Sequence, residues 1–300
     1  MSFVRYSSEI GGKKLRSFAM RESNEHQTEA NEIFWSFIVS NSFASKVARE
    51  KKKDDKDFPT KDLFHASGED ARRIPPTVTK WVESSEKFEA WSRRSLLLSA
   101  ASYLELYIKR ATCSALLSKP MLLNGTNFDF DGMHLIKANK EIDVEKFTID
   151  FVKGDWSSRL SALRRMFGSG MDQIEPFKSD LERIRNDRNS VSHNFGRNIN
   201  RENFKDLRFS DNASGISLER LKKYLNVIRD VTKCIDEVLM DHHIGAFEIL
   251  RYYHENISNI NEQFSNLTSQ RRAQKFFHSS VGISFNQQYA KEMIEYYNSL

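Results

Sequence analysis

Along most of this chain, apolar residues recur at steps of three and four, the repeat of a helix with one buried face. Between Thr28 and Lys52 the positions Ala30, Ile33, Phe34, Phe37, Ile38, Ala44 and Val47 keep this rhythm. Leu96 to Leu117 is apolar on several faces. Leu97, Ala101, Leu104, Ile108 and Ala111 form one side, with Leu96, Ala100, Tyr103 and Tyr107 beside them, so this helix is expected to run through the core centre, with Glu105 as the exception. A further helix over Trp156 to Phe167 breaks at Gly168-Ser169-Gly170, because glycine readily adopts the conformations that end helices. Ile174, Phe177, Leu181, Ile184, Arg188 and Val191 then step by three and four, which places an arginine in an apolar seam. Ser217 can cap a helix carrying Leu218, Leu221, Leu225, Ile228, Thr232, Ile235 and Leu239. Helix is expected again from Ile244 to Leu267, and a weakly amphipathic one from Tyr289 to Leu300.

Two kinds of segment interrupt the helical rhythm. Paired Gly11-Gly12 between short mixed runs suits a tight hairpin. Asp131-Gly132 inside the alternating run Phe128 to Ile136, and partial alternation from Ile142 to Phe151, suggest a small β insertion. The cationic run Arg49 to Lys53 suits a helix C-terminus, and Asp54 to Pro59 with Arg72 to Pro76 reads as linker. The expected organisation is a helical N-terminal extension over 1–78, a helical domain over 79–268 and a helical tail over 269–300.

Composition narrows the classes. Of 300 residues 39% are hydrophobic, 22 of them Phe, which is ample for a packed core. The formal net charge of +5 permits an anionic partner without requiring one. Two cysteines, Cys113 and Cys234, lie in apolar helical patterns and read as buried thiols of a reducing, cytoplasmic protein rather than a disulfide framework or zinc site. No apolar run approaches the length of a membrane span, and the first residues lack a signal-peptide core. His242, His243, Glu248 and His254 show no metal-ligand spacing, so no metal or cofactor is expected. Arg271 to Phe277 mixes basic and aromatic residues, which an ordinary amphipathic helix explains.

The chemistry concentrates between Leu181 and Gly196. On a helix Arg185, Asn189 and His193 share one stripe, and Arg188 lies about 100° round from Asn189, towards the apolar seam. A buried guanidinium needs an anion, and both Glu105 and a substrate phosphate are candidates. Histidine exchanges protons near neutral pH. RNA carries its own nucleophile, the 2′-hydroxyl, so a base, a cation at the phosphate and alignment suffice for transesterification without metal.

The run Leu181 to Gly196 resembles the signature of the HEPN superfamily, an arginine followed after four to six residues by histidine, commonly with a polar residue directly after the arginine. Ser99 to Ile108, with Glu105, and Trp156 to Gly168 are similar to the family's first long helix and to the helix before its motif, so that the likeness covers residues 88 to 243. The resemblance implies an all-α, antiparallel helical bundle that dimerises and brings two Arg/His pairs into one cleft. It implies an endoribonuclease of phage defence or a toxin–antitoxin system, acting on RNA beside an antitoxin or defence-complex partner. The alternative is a non-catalytic module that binds RNA or protein. By position, Arg188 would hold the scissile phosphate, Asn189 would orient phosphate or histidine, and His193 would transfer protons. Arg185 and Asn186 lie outside the matched motif and are candidates for positioning phosphate. Phe195 stands where one toxin subclass has a tyrosine that a partner nucleotidyltransferase modifies, which argues against neutralisation by that route.

Overall fold

The computed structural model describes residues 3–10, 13–124, 130–140, 142–194 and 215–300, and it is all-α. Strands β1 (Glu9–Ile10) and β2 (Lys13–Lys14) pair antiparallel as the short hairpin expected around Gly11-Gly12. The helices follow in order: α1 (Phe18–Asp54), α2 (Thr60–Leu63), α3 (Val78–Ser118), α4 (Met121–Asn124), α5 (Met133–Lys137), α6 (Glu145–Val152), α7 (Trp156–Phe167), α8 (Lys178–Asn194), α9 (Leu218–Leu239), α10 (Phe247–Gln263), α11 (Ser269–Val281) and α12 (Gln287–Ser299). No helix among the described residues is long and apolar enough to cross a membrane.

The chain divides into two compact units. The first comprises Met1–Ser23, Leu104–Glu182 and Ile228–Leu300, and the second Asn24–Tyr103 and Arg183–Val227. In the first, Tyr107, Ile108 and Ala111 of α3, Leu160 and Leu163 of α7, Ile235 and Leu239 of α9, Ile249 and Leu250 of α10, and Tyr289 of α12 are buried. In the second, Phe34 and Ala48 of α1, Val82, Leu96 and Leu97 of α3, Ile184 and Val191 of α8, and Leu221 and Tyr224 of α9 fill the interior. A polar layer also joins α1 to α3 there. Ser45 and Ser85 share a hydroxyl hydrogen bond at 2.9 Å, Ser85 donates to Asn41 Oδ1 at 2.8 Å, and Asn41 Nδ2 donates to Glu89 Oε1 at 2.9 Å. A satisfied polar layer of this kind favours one helix register over its neighbours, because any slip leaves its members unpaired.

Where β structure was expected between Phe128 and Phe151, the described residues form helices α5 and α6; Phe128 and Asp129 lie outside them. Asp131-Gly132 is a helix start here. Asp131 Oδ1 accepts the Met133 N–H at 2.9 Å, and Gly132 has an ordinary φ of −57°. The glycine is needed for close approach instead: a Cβ there would sit 1.7 Å from the Leu117 carbonyl oxygen. In α6 the buried residues are Thr148 and Phe151, three apart, while Ile149 is exposed, so the helical period overrides the partial alternation. Gly168 ends α7 at φ +87°, as the break at that position anticipates. The π-turn Met240–Ile244 prolongs α9 up to Gly245, whose φ of +52° turns the chain into α10.

Arg5 ties these ends together in the first unit. Its Nε and Nη2 both donate to the Asp131 carboxylate, Nη1 donates to the Ile244 carbonyl at 2.7 Å, and Nη2 also donates to Ser118 Oγ at 2.9 Å. Burial works to raise the Asp131 carboxyl, but the hydrogen bonds and charge of Arg5, helped by Met133 N–H and the Tyr296 hydroxyl, outweigh it and hold the pKa below the ordinary carboxylate value. Because both partners are buried, Arg5→Met leaves a carboxylate with no countercharge and is expected to cost about 3 to 5 kcal/mol in chemical denaturation. A loss under about 1 kcal/mol would show that the pair is dispensable.

Candidate functional site

Helix α8 follows a 3-10 stretch, Ser169–Phe177, whose Pro176 lacks the N–H that an α-helical interior would require. Leu181, Ile184 and Val191 are buried, so the inward face has the expected rhythm, and Arg188 stands half-buried in it. Its Nη1 donates to Asn189 Oδ1 at 3.1 Å. Arg185 and Asn189 are half-buried and Asn186 is exposed. The backbone stays helical through His193 to Asn194, which keeps His193 in register with Arg185 and Asn189. The His193 side chain, Phe195 and Gly196 lie outside the described residues.

Glu105 belongs to the first unit and has a cation there that the sequence did not suggest. Arg159 Nη2 of α7 donates to Glu105 Oε1 at 3.1 Å, and Arg159, 4% exposed, also donates Nε to the Gly154 carbonyl and lies against Trp156. An ion pair on the first unit's helices is the structural role this carboxylate fulfils.

Sequence reasoning also missed the anchor of α8 in the second unit. Asp187, one residue before Arg188, accepts the Tyr224 hydroxyl at 2.8 Å and Arg220 Nη2 at 2.8 Å, while Arg220 Nε donates to the Tyr224 oxygen at 2.7 Å. Burial pushes the Tyr224 phenol up, Arg220 opposes, and Asp187 adds to the rise, so this hydroxyl serves as a donor. Ser217 caps α9 as expected, its Oγ accepting the Arg220 N–H at 3.1 Å, and so sets Arg220 in the first turn. The available signal was the Arg220 and Tyr224 pair, four apart on one helix face. Chemically, the closed triangle fixes the rotation of α8 just ahead of Arg188 and Asn189.

No family model, curated protein or solved structure matches this chain.

A second group of ionisable side chains lies in the first unit, at the start of α1. Ser17 Oγ accepts the Met20 N–H at 3.0 Å as an N-cap, and both its hydroxyl and its N–H donate to Asp236. The next amide, Phe18 N–H, donates to Glu248 Oε2 at 2.7 Å, and Ser114 Oγ donates to Glu248 Oε1 at 2.8 Å. The Tyr107 hydroxyl donates to the Thr232 carbonyl beside Asp236 at 3.0 Å. Burial raises Asp236 to about 6 against the pull of Ser17, and burial raises Glu248 to about 7 against Phe18 N–H and Ser114, with Asp236 adding to the rise. Glu248 lines a cleft of about 630 Å³ with Phe18, Cys113, Ser114, Arg251 and Tyr252. Both its oxygens are already accepting, so it serves the helix start. Cys113 there and Cys234 elsewhere are half-buried free thiols, both pushed up by burial, which disfavours the nucleophilic thiolate. His243 is buried and lowered to about 4 by burial, with Nε2 3.3 Å from the Phe167 carbonyl. Among the described residues no three His, Cys, Asp or Glu are grouped to hold a metal.

The raised carboxyls set a pH dependence of known sign. A folded pKa above the unfolded value of about 4 means that the folded state binds more protons; the associated stability is present below about pH 4 and lost as pH rises through about 6 and 7. Glu248→Gln removes one of these titrations and keeps an acceptor for Phe18 N–H. Its stability relative to wild type, from denaturant midpoints, is expected to rise between pH 5 and pH 8 by up to about 1.4 kcal/mol per pH unit. Parallel stability curves for the two proteins would contradict the shifted carboxyl.

Proposed function

We propose that this protein is an endoribonuclease that cleaves RNA through the residues of α8. The observation that carries the reading is the placement of Arg188, Asn189 and His193 on one continuous helix, with Arg188 Nη1 bonded to Asn189 Oδ1 at 3.1 Å. An amide oxygen that accepts from a guanidinium restrains its orientation, and a fixed orientation is what a cation acting on a phosphodiester requires. The Asp187, Arg220 and Tyr224 triangle supports the reading because it fixes the helix directly before the motif.

In this mechanism His193 accepts the proton of the RNA 2′-hydroxyl as its oxygen bonds to phosphorus. Arg188 stabilises the charge that gathers on the non-bridging oxygens. The bond from phosphorus to the 5′-oxygen breaks, and that oxygen takes a proton from an acid, leaving a 2′,3′-cyclic phosphate and a 5′-hydroxyl. Arg185 and the exposed Asn186 precede the motif on the same helix and would steady the flanking backbone phosphates. A role in defence or in a toxin–antitoxin pair, with its protein partner, is the setting that the HEPN resemblance implies for such an activity.

Purified protein is expected to cleave mixed RNA in the presence of chelator, to leave cyclic-phosphate ends and to spare DNA, which lacks the nucleophile. His193→Ala should lower the rate by about 100 to 10,000-fold with the melting temperature preserved. Arg188→Lys keeps the charge but loses the planar fork, and should also lower the rate. Absolute dependence on added divalent metal, or full activity of His193→Ala, would overturn the mechanism. RNA bound tightly and left uncut would favour a binding module.

A further inference from the structure

The outward face of α1 in the second unit carries an unusual line of residues. Glu25, Glu32, Val39, Lys46 and Lys53 follow at intervals of seven, and all five are exposed. A seven-residue interval keeps side chains on nearly one line of a helix. Among the described residues none of these four charges has an ion-pair partner. Beside Val39, itself 68% exposed, stands Phe43, 71% exposed, four residues on along the same face. Large apolar side chains grouped so openly mark an interaction surface.

We infer that this face of α1 pairs antiparallel with the same face of a second copy of the chain, about a two-fold axis at Val39. The charges select the occupant and the direction. In that register Val39 meets Val39, Glu32 meets Lys46, and Glu25 meets Lys53, each pair formed twice by symmetry. A parallel arrangement would set glutamate on glutamate and lysine on lysine, which repels. Phe43 of each copy comes level with Trp35 of the other, with the small, exposed Ser36 beside it. Self-complementarity is the decisive feature: a foreign partner does not require acid and base to be mirrored about one apolar residue, whereas an isologous contact does. The inference does not depend on ribonuclease activity.

Sedimentation equilibrium of the full chain at micromolar concentrations tests it. A dimer is expected for wild type. Val39→Asp should shift it to monomer while the far-ultraviolet circular-dichroism spectrum keeps its helical content, because the residue is exposed within the single chain. Glu32→Lys and Lys46→Glu should each weaken association by about tenfold, since two attractive contacts become repulsive. The double variant Glu32→Lys/Lys46→Glu should restore it, and Val39→Cys should give a disulfide-linked dimer under mild oxidation. A monomeric wild type would overturn the inference. So would a dimer that tolerates Val39→Asp and both charge reversals, since its contact would lie on another surface.

Discussion

The buried guanidinium of Arg5 is the contact on which the first unit depends. It binds the Asp131 carboxylate at the start of α5, Ser118 at the end of α3 and the Ile244 carbonyl at the end of the π-turn. Its own backbone carbonyl accepts the Ala246 N–H at 2.9 Å, one residue after Gly245. A side chain at Gly245 would meet that carbonyl at 2.1 Å, so glycine is demanded both by its φ of +52° and by contact with the N-terminal segment. A desolvated cation with all three of its nitrogens engaged cannot be exchanged piecemeal, because losing one partner strands another. The N-terminal segment and three helix ends are thereby set as a group.

A related constraint governs the start of α1. The amides that a helix leaves unsatisfied at its N-terminus are met by Ser17, Asp236 and Glu248, the acids coming from α9 and α10. Negative charge is favoured there by the helix dipole, whereas burial disfavours it. Burial prevails, since both carboxyls are raised. Buried acids with displaced titration are often read as catalytic. The geometry argues against that here, because both groups are occupied in holding a helix end.

The second unit is held by smaller polar devices. The serine and asparagine layer sets α1 against α3, and the Asp187, Arg220 and Tyr224 triangle sets α8 against α9. Each also turns a face elsewhere. The first leaves the Val39 line of α1 outward, and the second orients α8 at Arg188. Both proposals, cleavage on α8 and pairing through α1, rest on rigid helices positioned by bonds made on their other sides.

The helical class, the Gly168 stop, the Ser217 cap and the pairing of Glu9–Ile10 with Lys13–Lys14 were legible in the sequence, because each follows from periodicity or from the local chemistry of a few residues. The motif of Arg188, Asn189 and His193 was legible as spacing on a helix. Tertiary structure decided what local pattern could not. Asp131-Gly132 looked like a hairpin turn, yet the carbonyl of Leu117 required its glycine and Arg5 its aspartate. Glu105 received Arg159, fifty-four positions further on, and Asp187 received Tyr224, thirty-seven positions further on. Apolar periodicity reports which face of a helix avoids water, since that preference is a property of each residue alone. The partner of a buried charge depends on which chain segment folding brings to it, and no local pattern carries that information.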